Sequence, residues 1–247
     1  MVRTRTHRRT GFTLLELLVT VSIISLLAAL LVPAIMQSRA ATRRTVCQSN
    51  LRQWALGARM YADAHHGRLP YRGQGIHPTT RLDAMDDWIN ALPPFAESPT
   101  YIEFVNSDTR PKAGETSIWI CPDAVQLEQS MEKMPPKPFD PKTFFAYGMN
   151  MALSAPKNGR PDNIDKVGPT QTMVFMADGL GAYCSVIPSK DAYSPIARHV
   201  GDTVNIAFLD GHVESYSGDE VGCGIGDPQR PDLRWYPPNS TWPGPQH

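Results

Sequence analysis

Two groups of residues in this chain have types and spacings suited to chemistry. The first lies toward the C-terminus, where Arg198-His199 is followed by Phe208-Leu209-Asp210-Gly211-His212-Val213. One reading brings His199, His212, Asp178 and Asp210 together at one end of a sheet. Two imidazoles and a carboxylate form a donor set for a transition metal. The plainer alternative is that Asp210-Gly211 is only a turn and His199 a hydrogen-bonded histidine at a strand end. The second group centres on Glu16, the one charge in the apolar run from Phe12 to Ile35. An ionised group carried to the middle of a bilayer costs on the order of 2.5–3.5 kcal/mol. Thr13 and Glu16 have capping-box spacing, in which two side chains satisfy the first amides of a helix. A carboxylate there also suits the helix dipole. No Gly-x-Ser-x-Gly, His-Glu-x-x-His or phosphate-loop pattern occurs, so no nucleophile–base set and no enzyme is expected.

The elements that must hold these groups follow from periodicity. Phe12–Ile35 is 24 residues, about 36 Å as a helix and enough to cross a bilayer. A secretory signal has a shorter apolar core of about 7–15 residues. Beyond it, Cys47, Leu51, Trp54, Ala58, Tyr61 and His65 step by 4, 3, 4, 3 and 4, one helical stripe. Arg44, Gln48, Arg52, Gln53 and Arg59 occupy the far side. Gly67 and Pro70 then stop the helix. One helix is expected from about 12 to 65, kinked at Pro33, which removes a backbone donor.

Charge narrows the partners. The chain has 24 basic and 24 acidic residues. Removing Arg3, Arg5, Arg8 and Arg9 from the basic ones leaves 20 against 24 acidic, so the body has no basic patch for nucleic acid. These four arginines precede the apolar run and Arg39, Arg43 and Arg44 follow it, which narrowly favours a cytoplasmic N-terminus. None of Cys47, Cys121, Cys184 and Cys223 forms a CxxC pair. If a disulfide forms outside the cytoplasm, Cys184 and Cys223 are the first pair to expect; the alternative is four separate buried thiols.

The basic leader, Gly11, Phe12, Thr13-Leu-Leu-Glu16 and the long apolar run resemble the N-terminus of type IV prepilins and type II secretion pseudopilins. The resemblance implies that a membrane prepilin peptidase cuts between Gly11 and Phe12 and methylates the new amine of Phe12. Glu16 then becomes the fifth residue, and Pro33 falls where the family carries a helix-breaking proline. It also implies a partner for Glu16: the N-terminal amine of a neighbouring subunit, a buried anion meeting a buried cation. Local physics allows both the capping and the assembly reading of Glu16; Gly11, the length of the apolar run and the place of Pro33 favour assembly.

In the body, residues 81–92 are expected to form an amphipathic helix, and 101–105 and 117–120 strands. A strand at 172–176 should end at Asp178-Gly179 and pair with 182–187 as a hairpin. Residues 203–216 predict a second hairpin with a two-residue type I′ turn at Asp210-Gly211. From Asp227 on, a Pro-rich extended or mobile tail is expected. The Arg198-His199…Asp210-Gly211-His212 segment resembles the His-x9-Asp-Gly motif of pseudopilin-like proteins with a DUF1559-like domain. Here the gap is one residue longer, explained by an extra residue in a turn at Gly201-Asp202. Cys47-Gln-Ser-Asn-Leu-Arg-Gln, Trp119-Ile-Cys121-Pro and Tyr147-Gly-Met-Asn150 look like the same group. Related major pseudopilins hold calcium in a C-terminal loop, which makes Asp202, Asp210 and Asp219 oxygen-donor candidates. No other cofactor is expected.

The combined expectation is an α+β, pilin-like subunit: a long helix packed on a small antiparallel sheet. Its parts are a leader (1–11), a transmembrane helix (12–35), its amphipathic continuation (36–66), an extracytoplasmic head (67–226) and a tail (227–247). It is expected in the inner membrane with its N-terminus cytoplasmic. Its expected partners are prepilin peptidase, other pseudopilins and an assembly platform. The alternatives are a type IV minor pilin in adhesion or DNA uptake, and a membrane-tethered binding or metal-dependent domain.

Overall fold

The structure is a computed structural model that describes residues 13–72, 82–112, 114–124, 144–153, 163–181, 184–186, 198–221 and 230–238. Gly11, Phe12 and Cys223 lie outside them. The first element, α1 (Leu14–Ala64), is one uninterrupted helix with Pro33 inside it. Two compact units divide within this helix, one ending at Ala40 and one starting at Ala41. In the first, every described residue from 13 to 39 is exposed. Among the described residues, α1 is the one helix long and apolar enough to cross a membrane.

In the second unit α1 is amphipathic as its spacing predicts. Cys47, Leu51, Trp54 and Ala58 are buried, while Arg52, Gln53 and Arg59 are exposed. The stripe ends earlier than expected: Ala62 is buried, Tyr61 is half-buried, and His65 is exposed and stacked on Tyr61 at 3.8 Å between ring centroids. Trp54 meets Trp88 and Trp119 at centroid distances of 5.4 and 4.8 Å, an edge-to-face aromatic centre of the core.

Several segments differ from expectation for identifiable reasons. Among the described residues of the expected 81–92 helix, only α2 (Trp88–Ala91) is α-helical. Asn90 donates to the Leu82 and Ala84 carbonyls at 2.9 Å each, folding the chain back on itself. Residues 101–105 are not a strand but part of helix α3 (Tyr101–Ser107). Thr100 and Glu103 close a capping box: the Thr100 N–H donates to Glu103 at 2.7 Å, and the Glu103 N–H to Thr100 Oγ1 at 3.4 Å. Residues 117–120 are turns. Their carbonyls accept from α1 side chains, Asn50 to Ser117 and Ile120 and Trp54 to Ile118, rather than from a neighbouring strand.

The sheet comprises β1 (Phe145–Asn150), β2 (Val174–Gly181), β3 (Ser185–Val186), β4 (Thr203–Phe208) and β5 (Val213–Ser217), in the order β3-β1-β2-β4-β5. It is mixed rather than purely antiparallel: β3 does not pair with β2 as a hairpin but runs parallel to β1. Asp178-Gly179 is not a turn; both residues sit inside β2. Gly179 lies there because β1 passes close by: a Cβ would come within 2.9 Å of the Tyr147 carbonyl carbon.

Both faces of the sheet are covered. Phe145, Tyr147, Met176 and Ala207 join the core built on α1, whereas Val174, Val204, Ile206 and Phe208 join a second cluster with Leu233, Trp235 and Tyr236. The expected mobile tail is therefore packed where it is described. The Val174 N–H donates to Arg234 O at 2.9 Å, the Arg234 N–H to Thr172 O at 2.7 Å, and Trp235 Nε1 to Val221 O at 3.1 Å. Val221 ends a short helix, α4 (Gly218–Val221).

The α3 capping box supplies a first prediction. Thr100→Ala should lower the unfolding free energy by about 1 kcal/mol, read as a shifted denaturant midpoint with unchanged slope.

Candidate functional site

Where α1 meets the sheet, a polar cluster is sealed into the core. Four elements build it. Cys47 comes from α1, Cys121 from the loop that Asn50 and Trp54 hold, Asp178 from β2, and Arg198-His199 from the segment leading into β4. His199 is fixed by its backbone, which bridges Thr203 across a tight turn in which Gly201 and Asp202 have φ of 80° and 52°. Tyr147 on β1 links two walls: its hydroxyl accepts from Asn50 Nδ2 at 3.2 Å and donates to Ile120 O at 3.4 Å.

Asp178 is the hub and is fully buried. Its Oδ1 accepts from the Cys47 thiol at 3.2 Å and lies 3.7 Å from Arg198. Its Oδ2 accepts from the Asn205 N–H at 2.8 Å and sits 3.2 Å from His199 Nε2. His199 Nε2 is also 3.7 Å from Cys121 Sγ, while its Nδ1 lies 2.9 Å from Asp123 Oδ2. Asp123 in turn pairs with Arg43 of α1. Arg198 donates to the Ala146 and Gly179 carbonyls at 3.2 and 2.8 Å.

The electrostatics follow from burial working against these contacts. Burial pushes the Cys47 thiol well above its ordinary range, reinforced by a hydrogen bond with Cys121 and the Asp178 charge. Burial also pushes Cys121 up. Hydrogen bonds with Cys47 and His199, together with the Arg198 charge, outweigh it and bring Cys121 to about 6. Burial disfavours a charged His199, yet its contacts with Asp178 and Cys121 raise it to about 10. Asp178 is held below the usual carboxylate range: Arg198 and His199 overcome its own desolvation.

Comparison with known families adds the other end of the chain. Residues 6–32 match the prokaryotic N-terminal methylation motif, and residues 36–124 match a family described as protein of unknown function (DUF1559). The N-terminus is a prepilin-type methylation motif. Comparisons with curated proteins and with solved structures find no match.

The methylation motif overlaps the first part of α1, whose first turn the structure describes. There the Thr13 N–H donates to Glu16 Oε2 at 2.9 Å and the Glu16 N–H to Thr13 Oγ1 at 3.2 Å. In the single chain Glu16 therefore caps its own helix. The DUF1559 match covers Cys47, Asn50, Trp54, Cys121 and Asp123 but ends before Asp178 and His199. The structure joins what the match leaves apart.

The expected metal set is split. His199 and Asp178 are in the cluster, but β4 lies between His199 and the Asp210–His212 loop. Six strand residues separate the two ends by about 20 Å. Asp210 and His212 pair with each other on the β4–β5 loop, where Asp210 Oδ1 also accepts the His212 N–H at 3.1 Å. That loop is not the expected two-residue turn. Phe208 N bonds to His212 O, Gly211 N bonds to Phe208 O, and Gly211 has φ of 99°. This is a three-residue loop closed by a glycine bulge. A type I′ turn requires positive φ at Asp210, and Asp210 does not have it. Asp202 sits exposed at the end of β4 opposite Asp210. The side chain of Asp219 lies outside the described residues. Cys184 is buried with its sulfur 3.8 Å from Arg72 O, and its expected partner Cys223 lies outside the described residues. The cysteines that meet are Cys47 and Cys121, 74 positions apart in sequence, a separation from which no pairing is readable.

Removing one partner of a buried ion pair exposes the desolvation cost of the other. Arg198→Met should therefore destabilise the fold by about 3–5 kcal/mol. Arg230→Met breaks the exposed Arg230–Asp232 pair and should cost at most about 1 kcal/mol. Denaturant titration of both variants checks the contrast.

Proposed function

We propose that this protein is a pseudopilin-like structural subunit rather than an enzyme. Prepilin peptidase cuts between Gly11 and Phe12 and methylates Phe12. The subunit waits in the inner membrane with its N-terminus toward the cytoplasm and the unit from Ala41 outside it. An assembly platform then stacks it with other pseudopilins into a short filament of a type II secretion machine. One observation carries this reading. The methylation motif at 6–32 continues into a helix whose apolar side chains are exposed on every side, including Leu14, Leu18, Ile24 and Leu30. Such a surface needs lipid before assembly and neighbouring helices after it.

Glu16 takes a different partner in the two states. In the single chain it caps α1. In the filament the amine of a neighbouring Phe12 offers it a full positive charge, which an apolar environment makes far more valuable than a neutral donor. The sealed Cys–Asp–His cluster supports a second reading, a membrane-tethered metal-dependent domain that uses the same signal as an anchor.

Mass spectrometry of the mature N-terminus tests the first step: N-methylated Phe12 supports processing, and an intact Met1 sinks it. Glu16→Ala then separates the two readings. A filament subunit should still be cleaved but fail to enter sheared or pelleted filaments, whereas a tethered domain should behave like the wild type in every assay.

A further inference from the structure

Cys47, Cys121, Asp178 and His199 each present one ligand atom, and all four atoms lie within 4.8 Å of one another. We propose that they bind one zinc ion in a closed structural site that fastens α1 to the sheet. This goes beyond the filament reading and does not depend on it.

The four atoms lie close enough together to share one tetrahedral ion after small side-chain shifts. Bonds of about 2.0–2.3 Å to nitrogen, oxygen and sulfur give ligand–ligand edges of about 3.3–3.8 Å. Three contacts hold the ligand atoms together: 3.2 Å for Cys47 Sγ to Asp178 Oδ1, 3.7 Å for Cys121 Sγ to His199 Nε2, and 3.2 Å for His199 Nε2 to the other carboxylate oxygen, Asp178 Oδ2. Two sulfurs, one imidazole nitrogen and one carboxylate oxygen in tetrahedral array form a donor set for zinc rather than for calcium or magnesium. The outer contacts fit as well. A metal-bound imidazole ordinarily gives its other N–H to a carboxylate. His199 Nδ1 faces Asp123, itself held by Arg43.

Charge closes the account. Two thiolates and a carboxylate around a divalent ion leave one negative charge, which the largely buried Arg198 guanidinium balances from 3.7 Å. Arg198 Nε and Nη1 have no hydrogen-bond partner, so this cation is held by field rather than by a complete set of acceptors. Asp123, His199 and Cys121 also line up in the order of a cysteine protease triad. Cys121 has no exposed surface and neither does the His199 side chain, so no substrate reaches the sulfur. A Cys47–Cys121 disulfide would consume both thiols, losing two protons and two electrons to an external oxidant and leaving Asp178 without its thiol donor.

The test uses the full-length protein purified in detergent without chelator. Elemental analysis should find about one zinc per chain. Cobalt exchanged into the site should show tetrahedral visible bands and a thiolate charge-transfer band in the near ultraviolet. Cys121→Ser and His199→Ala should lose the metal. Asp210→Ala, on the remote β4–β5 loop, should keep it. Asp123→Asn should fold and bind zinc about 10–100-fold more weakly, marking Asp123 as a positioning residue. The cobalt spectrum is read on the wild type, so a variant that fails to fold leaves the test intact. Wild-type protein that takes up neither zinc nor cobalt overturns the proposal, whether thiol titration finds every cysteine reduced or finds Cys47 and Cys121 joined as a disulfide.

Discussion

Asp178 is a carboxylate with no exposed surface, and a buried anion is tolerable only when donors and cations meet it from several sides. Here they come from four separate stretches of chain: the Cys47 thiol, the Asn205 amide, the Arg198 guanidinium and the His199 ring. Because each contact is charged or hydrogen-bonded, the cluster penalises small displacements more than an apolar contact would. It therefore fixes where α1 sits on β2 and where the segment before β4 enters the sheet. The aromatic centre of Trp54, Trp88 and Trp119 gives the core its bulk; the ionic cluster gives it a register.

The same helix meets two environments. As far as residue 39 its apolar residues are exposed all round, and from Cys47 its buried residues form one stripe. No break marks the change; only the distribution of side chains differs. The apolar segment and the stripe that packs in the core belong to one helix. Pro33, which has no backbone N–H to donate, lies within the exposed part of this continuous helix, away from the stripe on which the packing of the body depends.

The two halves of the His…Asp-Gly segment do different work. His199 enters the buried cluster, whereas Asp210, Gly211 and His212 shape the loop that returns the chain from β4 to β5. Asp210 accepts the His212 amide, and Gly211 supplies the positive φ that the bulge requires. Residues close in sequence can thus be separated by one strand, while Cys47 and Cys121, far apart in sequence, become neighbours.

What could be read along the chain was whatever depends on local order. The apolar run, the Cys47–Leu51–Trp54–Ala58 stripe and the alternation in β4 are periodicities, and periodicity fixes which side of an element is apolar before anything packs against it. The methylation motif is likewise local, since a peptidase reads an extended segment of chain. Tertiary structure decided the rest, because the deciding partners are remote. Residues 101–105 have strand-like composition, yet Thr100 capping turns them into a helix. Residues 117–120 look like a strand until Asn50 and Trp54 claim their carbonyls. Asp178-Gly179 reads as a turn by composition, but the close passage of Tyr147 and the contacts of Arg198 and His199 make it the buried middle of a strand. A carboxylate's cost of burial is set by what surrounds it in space, and that is information no single stretch of this sequence contains.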